Sequence, residues 1–202
     1  VAYPFGYGIS YADFRYSDFE VTENEDSFTI AVTVENIGDE TGNGFTGKEV
    51  VQIYLQKPYT AYDVAHGIEK SAVELAGYAK TDVLSPGEEQ TLTVTVQKEQ
   101  LKSYDSEHAK TYILEEGDYY FATGNGSHEA ANNILAYQGY TAENTEGRMD
   151  ADGNSALAAG VTVEYTGDET YAISVEQAGS ALAKSSHTVN EITNCLEDAD
   201  LN

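Results

Sequence analysis

The chain is patterned in twos. Across residues 48–57, Val51, Ile53 and Leu55 alternate with Val50, Gln52 and Tyr54, the period of a strand that turns one face to a core. Phe28, Ile30, Val32 and Val34 alternate with Thr29, Ala31, Thr33 and Glu35, and Leu92, Val94 and Val96 alternate with Thr91, Thr93 and Thr95. Strands with one apolar face each cannot stand alone and must share a core. Residues 48–57 are therefore read as the central strand of a β-sandwich.

The rest of the chain extends this pattern. Phe14 and Tyr16 are in phase with each other but not with Phe19 and Val21, which predicts a bulge near Ser17 and Asp18. Residues 59–70 form a long connection, residues 73–84 an irregular strand with Gly77 at a bulge, and Pro86-Gly87 a tight turn into 90–96. Residues 110–115 and 118–123 flank Glu116-Gly117 as a predicted hairpin. About seven short strands result, the count of an immunoglobulin- or fibronectin-like sandwich, so the fold class is all-β. Beyond Gly126 the texture changes. The expectations there are a short helix over 128–137, a polar loop over 143–160, a hairpin around Gly167-Asp168, and a last helix behind the Thr188–Glu191 capping box. The predicted division is a sandwich over 1–127 and an extension and connector over 128–202.

Charge removes whole classes of partner. Asp and Glu total 35 against 10 Lys and Arg, a net charge of -25. Such a surface repels phosphate backbones and anionic lipid, which argues against nucleic-acid and membrane partners. No apolar run approaches the ~20 residues that span a bilayer. The lone cysteine, Cys195, excludes an internal disulfide; cytoplasmic placement is favoured and secretion is the alternative.

Individual chemical signals are weak. Gly124-Asn125-Gly126 lacks the third glycine of a dinucleotide fingerprint and reads as a turn. Asp150, Asp152 and Asn154 imitate a cation-binding turn, but Ser155 stands where an EF-hand needs glycine. His66, His108, His128 and His187 show no metal-ligand spacing. Neither a metal nor a cofactor is implied. The residues by themselves specify no reaction.

Three motifs carry a resemblance. YPFGYGISYADFRY (3–16), ELAGYAKTDVLSPGEEQTLTVTV (74–96) and YILEEGDYYFATGNGS (112–127) resemble, in order, the opening, middle and last hairpin of the fibronectin type III-like domain of glycoside hydrolase family 3. That family consists largely of β-glucosidases and β-xylosidases. The resemblance implies catalytic residues elsewhere. The family's nucleophilic aspartate lies in a barrel domain in a Ser-Asp-Trp context, and this chain has no tryptophan. The family's Lys-His pair is also missing, because the four histidines follow Ala65, Glu107, Ser127 and Ser186. No catalytic residue is carried over. Residues 191–202 resemble the connector that precedes the barrel in bacterial members with reversed domain order. The chain is accordingly expected to be a middle segment, with an α/β domain before Val1 and the barrel after Asn202.

The expected role is that of a non-catalytic accessory domain packing against the α/β and barrel domains of its own polypeptide. A carbohydrate-binding module and an adhesion or scaffold domain are the alternatives. The lead-in aromatics Tyr3, Phe5, Tyr7 and Tyr11, with Ile9, are expected to meet those domains. Tyr59, Tyr62 and His66, in the connection after the central strand, are the candidate contacts to an oligosaccharide substrate.

Overall fold

The computed structural model describes residues 3–38, 44–147 and 149–164. Its strands are β1 (Asp13–Glu23), β2 (Ser27–Gly38), β3 (Val50–Gln56), β4 (Glu74–Lys80), β5 (Glu89–Gln97), β6 (Ser103–Asp105), β7 (Thr111–Ile113), β8 (Gly117–Thr123) and β9 (Ala158–Val163). Its helices are α1 (Ala61–His66) and α2 (Ser127–Tyr137). One sheet has the order β1-β2-β5 and the other β4-β3-β8-β9, every pair antiparallel. No helix among the described residues is long and apolar enough to cross a membrane.

The period-two faces meet between the sheets. Ile30, Val32, Val51, Ile53, Leu55 and Val94 are buried in one cluster, and half-buried Leu92 packs against it. Phe28 and Phe121 close its centre, with ring centroids 5.2 Å apart. The β1 bulge falls where the broken phase put it. The register shifts between Ser17 and Glu20, and Asp18 takes a left-handed φ of 50°. On β4, Gly77 opposes Ile53 while Leu75 opposes Tyr54, so Ala76 is the extra residue of a second bulge. A Cβ on Gly77 would meet Val94 Cγ1 at 2.6 Å, so the sheets approach there as closely as glycine allows.

Four expectations change. Seven strands build the two sheets, but residues 110–115 do not supply one of them. Thr111–Ile113 pairs with Ser103–Asp105 in a separate hairpin, and the predicted hairpin with 118–123 does not form. The chain instead turns a corner into β8. Gly117 adopts φ 137°, and buried Tyr119 donates its hydroxyl to Glu115 O at 2.9 Å, the tethering role of a tyrosine corner. The seventh strand is β9, which runs antiparallel to β8 from Gly117↔Val163 to Ala122↔Ala158. The edge of the second sheet thus comes from beyond residue 127. The remainder of the hairpin expected there, the last helix, Cys195 and His187 lie outside the described residues.

Third, β3 has two buried faces. Tyr54 is buried with Ala122, Ala130, Ile134 and Ala158 in a second cluster, beneath α2. Asn133 of α2 stitches this layer, donating to Thr123 O at 2.8 Å and accepting from Asn154 N at 2.7 Å. Fourth, the connection after β3 is helical. Thr60 Oγ1 accepts from the Tyr62 and Asp63 amides while Asp63 accepts from Thr60 N at 2.7 Å, a reciprocal capping box. Gly67 ends the helix in the left-handed region at φ 65°.

A clasped helix and an aromatic stack

Pro58 follows β3 and lacks the N–H needed to extend the ladder. The chain leaves the sheet and folds back as α1. Its first turn is tied to the approach to β8 by a buried charge cluster. Lys70 donates to Asp63 Oδ2 at 2.7 Å, to Pro58 O at 2.8 Å, and to Glu115. Thr60 donates its hydroxyl to Glu115 Oε1 at 2.5 Å. The Lys70, Asp63 and Glu115 side chains are only 7%, 0% and 5% exposed. One ammonium therefore serves two carboxylates, and Asp63 Oδ1 is left without a hydrogen-bond partner.

On the other side of α1 lies an aromatic stack. The Tyr62 and His66 rings lie 4.1 Å apart, and His66 and His108 lie 4.2 Å apart. The β6–β7 turn brings His108 there. Its anchor is Asp105, which is buried and accepts the amides of Glu107, His108 and Ala109 at 3.2, 2.9 and 2.9 Å. Tyr62 donates its hydroxyl to Asp105 Oδ2 at 2.7 Å. His108 Nδ1, 3.0 Å from that hydroxyl, is left as donor to its oxygen.

These contacts set the protonation of Asp105 and Tyr62. Burial pushes the Asp105 carboxyl up. The Ala109 amide, the Tyr62 hydroxyl and the His108 and Glu107 amides overcome it and hold the group at about 2. Tyr62 is pushed up to about 12, first by burial, then by its bond to and the charge of Asp105, with smaller effects from Glu115 and Asp63. A saturated carboxylate held at about 2 and a phenol at about 12 are poorly matched to proton transfer near neutrality. The arrangement positions a segment and presents a surface.

The candidate residues are thus divided. Tyr62 and His66 come together and spend ring faces on each other and on His108. Tyr59 stands apart, 60% exposed, in a groove of about 460 Å³ with Tyr120, Gln56 and Gln138. His108 and Asp105 were not among the expected site residues, and the histidines, read as scattered, include one stacked pair. No local spacing foretells that pairing. The Thr60–Asp63 box, by contrast, is a readable helix signal. The side chains of the 150–154 segment are engaged within the fold. Asp150 accepts from Asn132, Asp152 from Ala142 N, and Asn154 from Ala156 N. Among the described residues no three acidic, histidine or cysteine side chains gather as a metal site.

The lead-in forms a second surface. Its backbone is pinned at Phe5 and Gly6. Phe5 O accepts from Ser127 N at 2.8 Å, at the start of α2, and Gly6 O accepts from Gln52 Nε2 at 3.2 Å. Its side chains face out, with Tyr3, Phe5, Tyr7, Ile9 and Tyr11 between 51% and 89% exposed. Tyr3 lies 5.1 Å from Tyr7 and Tyr11 5.7 Å from Phe45, ring to ring. Behind them Tyr16 donates to Glu49 at 2.8 Å. Burial, then the Glu49 charge and bond, raises the Tyr16 hydroxyl far above its ordinary range, and burial raises Glu49.

Comparison with known proteins points to one family. Residues 49–127 match the fibronectin type III-like domain family. A β-glucosidase of Ruminococcus albus is 40% identical over 128 residues, covering 61% of this chain and 12% of the relative. β-Glucosidase A of Butyrivibrio fibrisolvens is 34% identical over 165 residues, covering 68% of this chain and 19% of the relative. Among solved structures, β-glucosidase 3B of Thermotoga neapolitana in complex with α-D-glucose superposes with a TM-score of 0.56 at 27% identity, over 81% of this chain and 18% of that one. A Kluyveromyces marxianus β-glucosidase in complex with glucose gives 0.57 at 27% identity, over 82% and 16%. The chain spans less than a fifth of the length of each of these relatives. Residues 49–127 thus belong to the fibronectin type III-like family, and the chain as a whole is similar to the part of glycoside hydrolase family 3 β-glucosidases that holds this domain.

Proposed function

We propose that the chain is a non-catalytic accessory domain of a family 3 glycoside hydrolase, packing through its lead-in face against the α/β and barrel domains of the same polypeptide. The observation that carries this reading is the exposed aromatic array of Tyr3, Phe5, Tyr7, Ile9 and Tyr11 on a backbone held by hydrogen bonds. Apolar rings on a fixed support mark an interaction surface. The match takes up less than a fifth of each relative, which leaves room for domains that would cover it. The sandwich of 1–127 would be completed by β9, with the later residues as connector toward the barrel. The α1 segment, clasped by Lys70 and standing at the end of the central strand, would border the outer part of the substrate entrance.

Hydroxyl-radical footprinting of the chain and of the full-length parent enzyme tests the packing. Tyr3, Phe5, Tyr7 and Tyr11 should oxidise readily in the chain and be protected in the parent; equal oxidation in both would refute it. The purified chain should not hydrolyse aryl β-glucosides or β-xylosides. Turnover lost on replacing one of its carboxylates would overturn the accessory role.

A further inference from the structure

Tyr59, one of the expected sugar contacts, lines a groove. Its groove, about 460 Å³, runs between the end of β3, Ser71 and Ala72, β8, and the residue after α2, a size within the usual range for small-molecule sites. The lining is mixed. Tyr59 is 60% exposed, and half-buried Tyr120 meets Tyr137 edge-on at 6.0 Å. Gln138 donates to Gln56 Oε1 at 3.0 Å, and Gln56 donates to Ala72 O at 3.1 Å. The two amides orient each other and keep further donor and acceptor capacity. Exposed Asp118 accepts from Thr162 at 2.7 Å and has further lone pairs to offer.

The chemistry selects among ligands. The Asp118 carboxylate, on a chain of net charge -25, disfavours an anion. Lys57 and Lys70 also line the groove, but their ammonium groups are held by Glu74 at 2.7 Å and by Asp63 at 2.7 Å, with Glu115 also on Lys70, so they offer little to an anion; Asp118, exposed and already bonded to Thr162, is a single solvated carboxylate, too little to fix a cation. A wholly apolar ligand would strip water from two amides and a carboxylate without replacing it. What remains is a neutral molecule with an apolar face and a hydroxylated edge. We propose that this groove is a subsite for a neutral saccharide, with Tyr59 as the stacking platform and Gln56, Gln138 and Asp118 receiving the hydroxyl groups. The groove stands on its own geometry; only the choice of a β-linked glucose oligomer as probe rests on the proposed glycosidase role.

The test is titration of the chain with cellotriose, and separately with maltotriose, followed by amide resonances. Cellotriose should give saturable shifts at residues 56–59, 118–120 and 138. Tyr59→Ala should weaken binding roughly three- to tenfold, the worth of one aromatic contact. Tyr59→Phe should restore it and Gln138→Ala should weaken it. Tyr78→Ala, which removes a 70% exposed ring on β4 outside the groove, should change nothing. Maltotriose binding with the same dependence on Tyr59 would support the subsite and show that it does not read linkage. The proposal is overturned if neither sugar saturates up to its solubility limit. It is also overturned if Tyr59→Ala and Gln138→Ala keep the thermal midpoint and bind unchanged. Either failure leaves the accessory role standing, because footprinting of the parent decides that separately.

Discussion

Lys70→Met probes the clasp that holds α1 in place. The substitution keeps a long apolar stem and removes the ammonium, leaving Asp63 and Glu115 buried without it. Removing one partner of a buried ion pair costs about 3–5 kcal/mol. Here one cation serves two carboxylates that are 0% and 5% exposed, so the upper half of that range, about 4–5 kcal/mol, is expected. With a urea slope of about 2 kcal/mol/M, the midpoint should fall by about 2 M. The assay is urea unfolding followed by tyrosine fluorescence, which the 16 tyrosines and absent tryptophan permit. Repeating it at about 1 M salt, where the screening length is ~3 Å, should leave the difference largely intact, because the paired groups are at most 7% exposed. Combining Lys70→Met with Asp63→Asn and Glu115→Gln should recover much of the loss. Those amides keep acceptors for Thr60 N and Thr60 Oγ1 while removing the uncompensated charge. A loss below about 1 kcal/mol, or one abolished by salt, would show an ordinary surface bridge and refute the clasp.

Two further outcomes follow from the core and the stack. Ile53→Ala should cost about 2–5 kcal/mol, toward the upper end, because Gly77 opposite has no side chain with which to fill the void; an unchanged denaturation midpoint would contradict the assigned strand face. Asp105, held at about 2 when folded, stabilises the protein fully above its unfolded value of ~3.9 and loses that contribution as pH falls toward 2. Tyr62→Phe removes one of the bonds holding it down, so the acid-unfolding midpoint should rise. Tyr62 itself, raised to about 12, contributes stability below ~10 that is lost as pH climbs through its folded value. The Phe variant should lack that alkaline loss. Identical acid and alkaline profiles for the two proteins would show that the Tyr62–Asp105 bond does not form.

Some of the site was legible in the chain, and some was not. Thr60 and Asp63 carry a capping box, so α1 was readable in principle. The aromatic lead-in was readable as an irregular surface segment because Pro4, Gly6 and Gly8 interrupt the strand that its alternating aromatics would otherwise suggest, and those aromatics are exposed. The stacking of His66 and His108 was not readable. It depends on Asp105 collecting the three amides of the β6–β7 turn and fixing where that turn ends. Likewise Tyr59 and Tyr62 look equivalent in sequence, yet Tyr59 precedes the Thr60 cap and lines a groove, whereas Tyr62 lies in the first turn of α1 and joins a stack.

What the sequence by itself determined is what neighbouring residues decide. The period of two placed the β2, β3 and β5 faces, the phase break placed the β1 bulge, and three motifs placed the family. Such signals are local, because a strand's two faces are set by alternate Cβ directions along a few residues. Only the tertiary structure decided which strands pair. Thr111–Ile113 resembles a partner for β8, but Gly117 and the Tyr119–Glu115 tether turn the chain away, and β9 takes the place. Only packing decided that Tyr54, on the polar phase of β3, is buried, because α2 covers that face. Pairing and coverage depend on residues far apart in the chain, and the free energy that selects them exists only once the elements have met.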